Sequence, residues 1–224
     1  MMKKYLFLPF FCIFGFSLFA QTASTSIAPG AQAQLADLLN KPAMVNPATA
    51  TALGKNWFRL ETDAHVFTDQ VSVSQVAAML LDVDNLEKFM NGKRSKLTAK
   101  VVSRGPDAIV TDFVSISIAP LGIQIRTPYR ASIKTIENTD TRFVLEVRHL
   151  PDDSASNKDI KNLYATRYAE EVTINGKKYT YIRIYTIDDV NASILPGAKN
   201  TLEKNSFPVN EETLQMIIAA AKTK

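Results

Sequence analysis

Polarity along the chain changes its period in a way that marks out the first elements. Phe58, Leu60, Thr62, Ala64 and Val66 alternate with Arg59, Glu61, Asp63 and His65, which predicts a strand with one dry face and one wet face. At Val71 the period lengthens. Ser72 and Gln75 have the S-x-x-Q spacing of a capping box, and Val71 and Val76 flank it as a hydrophobic staple. Val76, Met79, Leu80 and Val83 then recur at helical spacing. Asp84 or Asn85 caps a second short helix carrying Leu86, Phe89 and Met90, and Gly92 ends it.

Strand periodicity returns after Gly92. Leu97, Ala99 and Val101 alternate with Lys96, Thr98 and Lys100, and Arg104-Gly105-Pro106-Asp107 turns the chain. Ala108 to Ile118 is apolar at nearly every position, so alternation assigns it no inner face. In the next strand Ile123, Ile125, Thr127, Tyr129, Ala131 and Ile133 share one side. Phe143, Leu145 and Val147 do the same in the one after it, and Pro151 to Lys161 is a charged loop.

The last two strands, 162–174 and 177–188, meet at Asn175-Gly176, a two-residue hairpin signal. That turn sets Val172 opposite Tyr179, Glu170 opposite Tyr181, Tyr168 opposite Arg183 and Thr166 opposite Tyr185. Glu170 and Arg183 become diagonal neighbours, within reach of pairing across the strands. A connector from Asn191 to Pro208 holds one helical turn near Lys199–Lys204. Asn210 then caps a closing helix with Leu214, Ile217, Ile218 and Ala221 as its apolar stripe.

Strand, two short helices, six strands, helix: this order, with the run V-S-V-S-Q-V-A-A-M-L-L-D-V-D-N-L-E-K-F-M after the first strand, resembles the START-like, or polyketide-cyclase-like, superfamily of helix-grip domains. The likeness is one of pattern over about residues 57–222, without a catalytic signature, and it speaks to fold before activity. It implies an α+β domain at 57–224 in which a curved seven-stranded antiparallel sheet wraps a C-terminal helix, with a hydrophobic cavity between them. The implied ligand is a lipid-like or other hydrophobic small molecule.

The likeness and the alternation patterns together make Ile125, Tyr129, Phe143, Leu145, Tyr168, Glu170, Arg183, Tyr185, Leu214 and Ile218 the expected lining. For the hairpin face two readings stay open. Tyr168, Glu170, Arg183 and Tyr185 line the cavity and orient a ligand's polar head, or they form a solvated sheet surface, since Leu163, Ala165, Ala169, Ile182 and Ile184 on the opposite side offer a competing core. Two other functions stay open beside binding. One is a cyclase- or dehydratase-type enzyme using Glu170, Arg183 or a tyrosine as acid or base; the other is an interaction domain with a filled interior. The apolar tip at Pro120-Leu121 is a candidate for transient contact with a bilayer.

The N-terminus adds a destination. Lys3 and Lys4, an apolar run from Leu6 to Phe19, and Ala20 have the layout of a secretory signal peptide over residues 1–20, with export to the periplasm or beyond. An uncleaved anchor is the alternative, because Leu18 is large for its place before the cleavage site. Residues 21–56, rich in Ala, Thr, Gln and Pro, read as a linker with a short helix at 31–40.

Composition narrows the chemistry. The single cysteine, Cys12, lies inside the signal segment, so the rest of the chain has neither disulfides nor thiol chemistry. Without Lys3 and Lys4, 24 basic side chains stand against 22 acidic ones, a formal +2, which gives no support for nucleic-acid binding. The two histidines, His65 and His149, fall on different strands, and neither has ligand-spaced companions, so no metal or cofactor is expected. Nucleophile elbows, phosphate loops and H-E-x-x-H are missing from the sequence.

Overall fold

The computed structural model describes residues 38–118, 124–151, 159–193 and 195–224. Among these residues eight strands form one antiparallel sheet: β1 (Ala43–Gly54), β2 (Trp57–Thr68), β3 (Ser95–Arg104), β4 (Ile109–Ile118), β5 (Gln124–Asn138), β6 (Arg142–His149), β7 (Ile160–Ile174) and β8 (Lys177–Asn191). Their spatial order is β1-β2-β8-β7-β6-β5-β4-β3. Strands β3 to β8 are thus a continuous meander, and the β1–β2 hairpin is laid beside β8. Helix α1 (Val73–Leu81), a 3-10 turn at Val83–Asn85 and helix α2 (Leu86–Phe89) carry the chain from β2 to β3 at the far edge. Helix α3 (Ala198–Ala221) packs against β1, β2, β8 and the far-edge strand β3, which requires the sheet to curl around it.

Local chemistry explains the well-read elements. The Ser72 hydroxyl accepts from the Gln75 N–H at 3.2 Å and the Gln75 side chain accepts from the Ser72 N–H at 2.9 Å, closing the capping box. Val71 and Val76 on either side are both buried. Asn175 and Gly176 adopt φ of 51° and 75°, the left-handed pair that a tight hairpin demands. The β7–β8 register then follows as expected, with Tyr168 opposite Arg183 and Glu170 opposite Tyr181.

Two expectations are corrected. The sheet has eight strands, because the stretch read as linker contains β1. Its composition disguises it: Pro47 sits where the β1–β2 register slips, as suits an edge strand, and small residues such as Ala50 replace bulky strand formers. What holds β1 is its ladder with β2 and a bond from the Ala50 N–H to Glu203 Oε1 on α3 at 2.9 Å.

The closing helix is also longer than expected. It starts after Gly197, which has φ of 56°, and runs through Pro208, so Asn210 is an interior residue and no cap. Proline only removes one N–H from the ladder, and the helix continues past it with Ser206 and Thr213 hydroxyls donating to the Leu202 and Val209 carbonyls. Of the expected 31–40 helix, residues 31–37 lie outside the described residues; Leu39 bridges to Phe67. Residues 1–20, the Pro120-Leu121 tip and most of the 151–161 loop are likewise outside them.

Candidate ligand-binding cavity

Helix α3 does two different things along its length. Its C-terminal half fills the space beneath it: Leu214, Ile217 and Ile218 join Val76 and Met79 of α1, Phe143 and Leu145 of β6 and Ile182 of β8 in one continuous core. The part around Pro208 leaves space. Leu202, Asn205, Val209, Asn210 and Thr213 roof a cavity of about 290 Å³, whose opposite wall comes from Leu60, Ile125, Tyr129, Leu163, Arg167, Ile184 and Asp188. That volume is near the lower limit of small-molecule sites, and it suits one slender ligand.

The cavity is apolar with a polar floor. Arg167 on β7 points inward, its Nη1 donating to the carbonyls of Thr166 at 3.0 Å and Tyr185 at 3.3 Å and to the Thr186 hydroxyl at 3.3 Å. Among the described residues no carboxylate oxygen comes within 4.0 Å of its guanidinium, although Asp188 and Tyr129 are near enough to act on it electrostatically, and burial depresses its pKa. Asp188 on β8 is half-buried at the cavity wall, and burial raises its pKa to about 7 against the pull of Arg167. Among the described residues its Oδ1 has no hydrogen-bond partner, and neither has Asn210 Nδ2 across the cavity on α3. Tyr129 stacks on Phe113 with ring centres 5.3 Å apart, and burial holds its phenol neutral by raising its pKa.

Of the expected lining residues, Ile125 and Tyr129 face the cavity. Phe143, Leu145, Leu214 and Ile218 are packed into the filled core instead. Tyr168, Glu170, Arg183 and Tyr185 are on the outer face of the sheet, because the opposite parity of β7 and β8, with Ala165, Ala169, Ile182 and Ile184, is the buried one. Nor do Glu170 and Arg183 pair. Arg183 takes Asp63 on its other neighbour, β2, in a two-pronged bond of 2.7 and 2.6 Å, while the Tyr168 hydroxyl donates to Glu170. A carboxylate on the strand beyond β8 was invisible to a hairpin considered alone.

Arg167 and Asp188 were missed, yet the sequence carried their signal. They occupy the same parity as Leu163, Ala165 and Ala169 on β7 and Ile182 and Ile184 on β8, so a charge at each position on a buried face should have marked the polar floor. Elsewhere, His65 is half-buried between Phe67 and Tyr181, at ring-centre distances of 5.6 and 5.5 Å. Among the described residues no group of three His, Cys, Asp or Glu is placed to hold a metal ion, and no helix is long and apolar enough to cross a membrane.

No family model and no curated protein sequence matches the chain. Solved structures do match its fold. A STAR-related lipid transfer protein fragment (25–204) from Xanthomonas axonopodis is 10% identical, with 79% of this chain and 99% of that one covered at a TM-score of 0.52. The Zhui aromatase/cyclase from Streptomyces sp. R1128 is 11% identical, with 73% and 94% covered, also at 0.52.

Proposed function

We propose, from the helix-grip fold of the START and polyketide-cyclase superfamily that the chain has, an antiparallel sheet around a C-terminal helix as the sequence resemblance implied, that the protein binds a lipid-like or other hydrophobic small molecule in the cavity beneath the N-terminal part of α3. The observation that carries the reading is the cavity itself, about 290 Å³, its surface mostly apolar with polar side chains interspersed on both sheet and helix, the mix found in small-molecule sites. Burying each methylene of a ligand chain there gains about 0.8 kcal/mol. One fold neighbour is described as a lipid transfer protein, which supports the same reading.

Export to the periplasm or beyond is part of the proposal and rests on the charged, apolar and small-residue succession of residues 1–20. Organic extraction of protein purified from its native compartment, followed by mass spectrometry, tests both. The reading expects a hydrophobic molecule in stoichiometric amount and a chain lacking its first twenty or so residues.

A second reading has one observation in its favour. Asp188, with a pKa of about 7 inside a cavity beside Tyr129, has the poise of an acid–base catalyst. A cyclase- or dehydratase-type activity would run through Asp188, since Glu170 and Arg183 face outward. Turnover of a polyketide-like substrate that is lost in D188N separates it from simple binding.

A further inference from the structure

The polar groups on the cavity floor say what kind of head group the ligand carries. We infer that the site takes a monocarboxylate amphiphile, its carboxylate on Arg167 and its chain along the apolar wall, and that Asp188 takes up a proton as this ligand binds. The inference rests on the binding reading above and adds to it the ligand's charge and the proton.

Arg167 provides the first reason. Its Nη1 is occupied by Thr166, Tyr185 and Thr186, while Nε and Nη2 have no hydrogen-bond partner among the described residues. A guanidinium has five N–H donors in a planar fork that fits a carboxylate in two-pronged fashion. Here that fork lines a cavity, with no carboxylate within 4.0 Å among the described residues. The Tyr129 hydroxyl, also at the cavity and without a partner among the described residues, offers a further donor. Buried polar atoms left unpaired are exceptions that ask for a reason, and two of them among the described residues, Asp188 Oδ1 on the sheet and Asn210 Nδ2 on α3, belong to this same cavity lining.

Charge counting selects a single negative charge. Among the described lining residues the cations are Arg167, half-buried, and Lys96 from β3, which is exposed. Asp188 from β8 and Asp159, just before β7, are the acidic lining groups, and Asp189 beside Asp188 turns to the other face, where Arg59 holds it at 2.8 and 2.9 Å. Among the described residues, strands β2 and β4 and helix α3 bring no titratable side chain to the lining. A doubly charged phosphate would face two carboxylates with one cation; a monocarboxylate leaves Arg167 neutralised once. A second carboxylate arriving beside Asp188 disfavours its ionised form further. Asp188 already sits near neutrality through burial, with Oδ1 unpartnered, so protonation is the relief open to it.

Isothermal titration of the wild-type protein with laurate, dodecanol and dodecylamine tests this, in two buffers of different ionisation heat. At pH 6 laurate is expected to bind about ten-fold or more tighter than dodecanol, with dodecylamine weakest. Between pH 6 and pH 9 laurate affinity should fall by about 10- to 100-fold, with uptake of about one proton per laurate at pH 8. R167M should erase the preference for laurate while still binding dodecanol, and D188N should keep laurate binding and lose the proton uptake. Equal, pH-independent binding of all three probes, or a preference for dodecylamine, overturns the inference and leaves the hydrophobic reading standing. Failure of every probe to bind the wild-type protein overturns that reading itself.

Discussion

Arg183 holds Asp63 across the β2–β8 ladder with Nε and Nη2 on the two carboxylate oxygens, at 2.7 and 2.6 Å. The partners are unequally placed, with the arginine side chain 43% exposed and the aspartate 6%. Removing the exposed cation strands a buried anion, whereas removing the anion lets the cation reach water. Arg183→Ala is therefore expected to cost about 2–3 kcal/mol and Asp63→Ala about 1 kcal/mol, with the double variant well below their sum. Urea denaturation of the four proteins measures this. Ligand affinity should be unchanged in all of them, because the pair lies on the outer face.

Glu212 ties α3 to the start of β3. Its carboxylate accepts from the N–H groups of Lys93, Arg94 and Ser95 at 2.7, 2.8 and 3.0 Å. A methyl group at Gly92 would collide with that carboxylate. Gly92→Ala should destabilise the protein by about 1–3 kcal/mol, and Glu212→Ala by about 2 kcal/mol. Added to E212A, G92A should cost far less than it does alone, since the obstacle is gone. Thermal denaturation of the single and double variants reads the coupling.

Asp188 sets the response of the ligand-free protein to base. Unfolded, its carboxyl has an ordinary value near 4; folded, burial raises it to about 7. Between those values the folded state binds more protons than the unfolded, so stability falls as pH rises from about 4 to 7 and the full penalty remains above 7. Asp188→Asn should raise stability by roughly 1–3 kcal/mol at pH 8 and by little at pH 3.5. Denaturant midpoints across that range test it.

His65 acts at the acid side. Burial lowers its pKa below the ordinary 6.5, with Asp63 opposing and Arg183 reinforcing the shift. As pH falls through 6.5 the unfolded imidazole takes its proton first, so this residue's contribution is complete above 6.5 and is lost below it. NMR titration should place the His65 midpoint under 6.5, and His65→Phe should flatten the stability loss over that interval.

What the sequence made legible was local. Ser72 with Gln75 and Asn175 with Gly176 fix their geometry within a few residues, so the α1 start and the β7–β8 register could be read directly. β1 was hidden because its small residues and Pro47 read as linker, while what holds it is the ladder with β2 and a bond to Glu203, 153 residues on from Ala50. The face of the hairpin was ambiguous for a related reason. Tyr168, Arg183 and Tyr185 look like a pocket beside one another, and only the core formed by Ile182, Ile184 and Ala169 with α1 and α3 decides which side is in. Pro208 and Asn210 imitated a helix start, where the chain simply continues a helix begun at Ala198.

Methyl-detected NMR of the protein with a twelve-carbon amphiphile, laurate or dodecanol, bears most directly on the claim that α3 roofs an open, apolar space at one end and fills the other. The account predicts contacts from chain protons of the ligand to the methyls of Leu60, Leu163, Ile184 and Leu202, and none to Leu214 or Ile217. Contacts confined to the outer face of the sheet, or a saturating ligand that touches no cavity methyl, would contradict it.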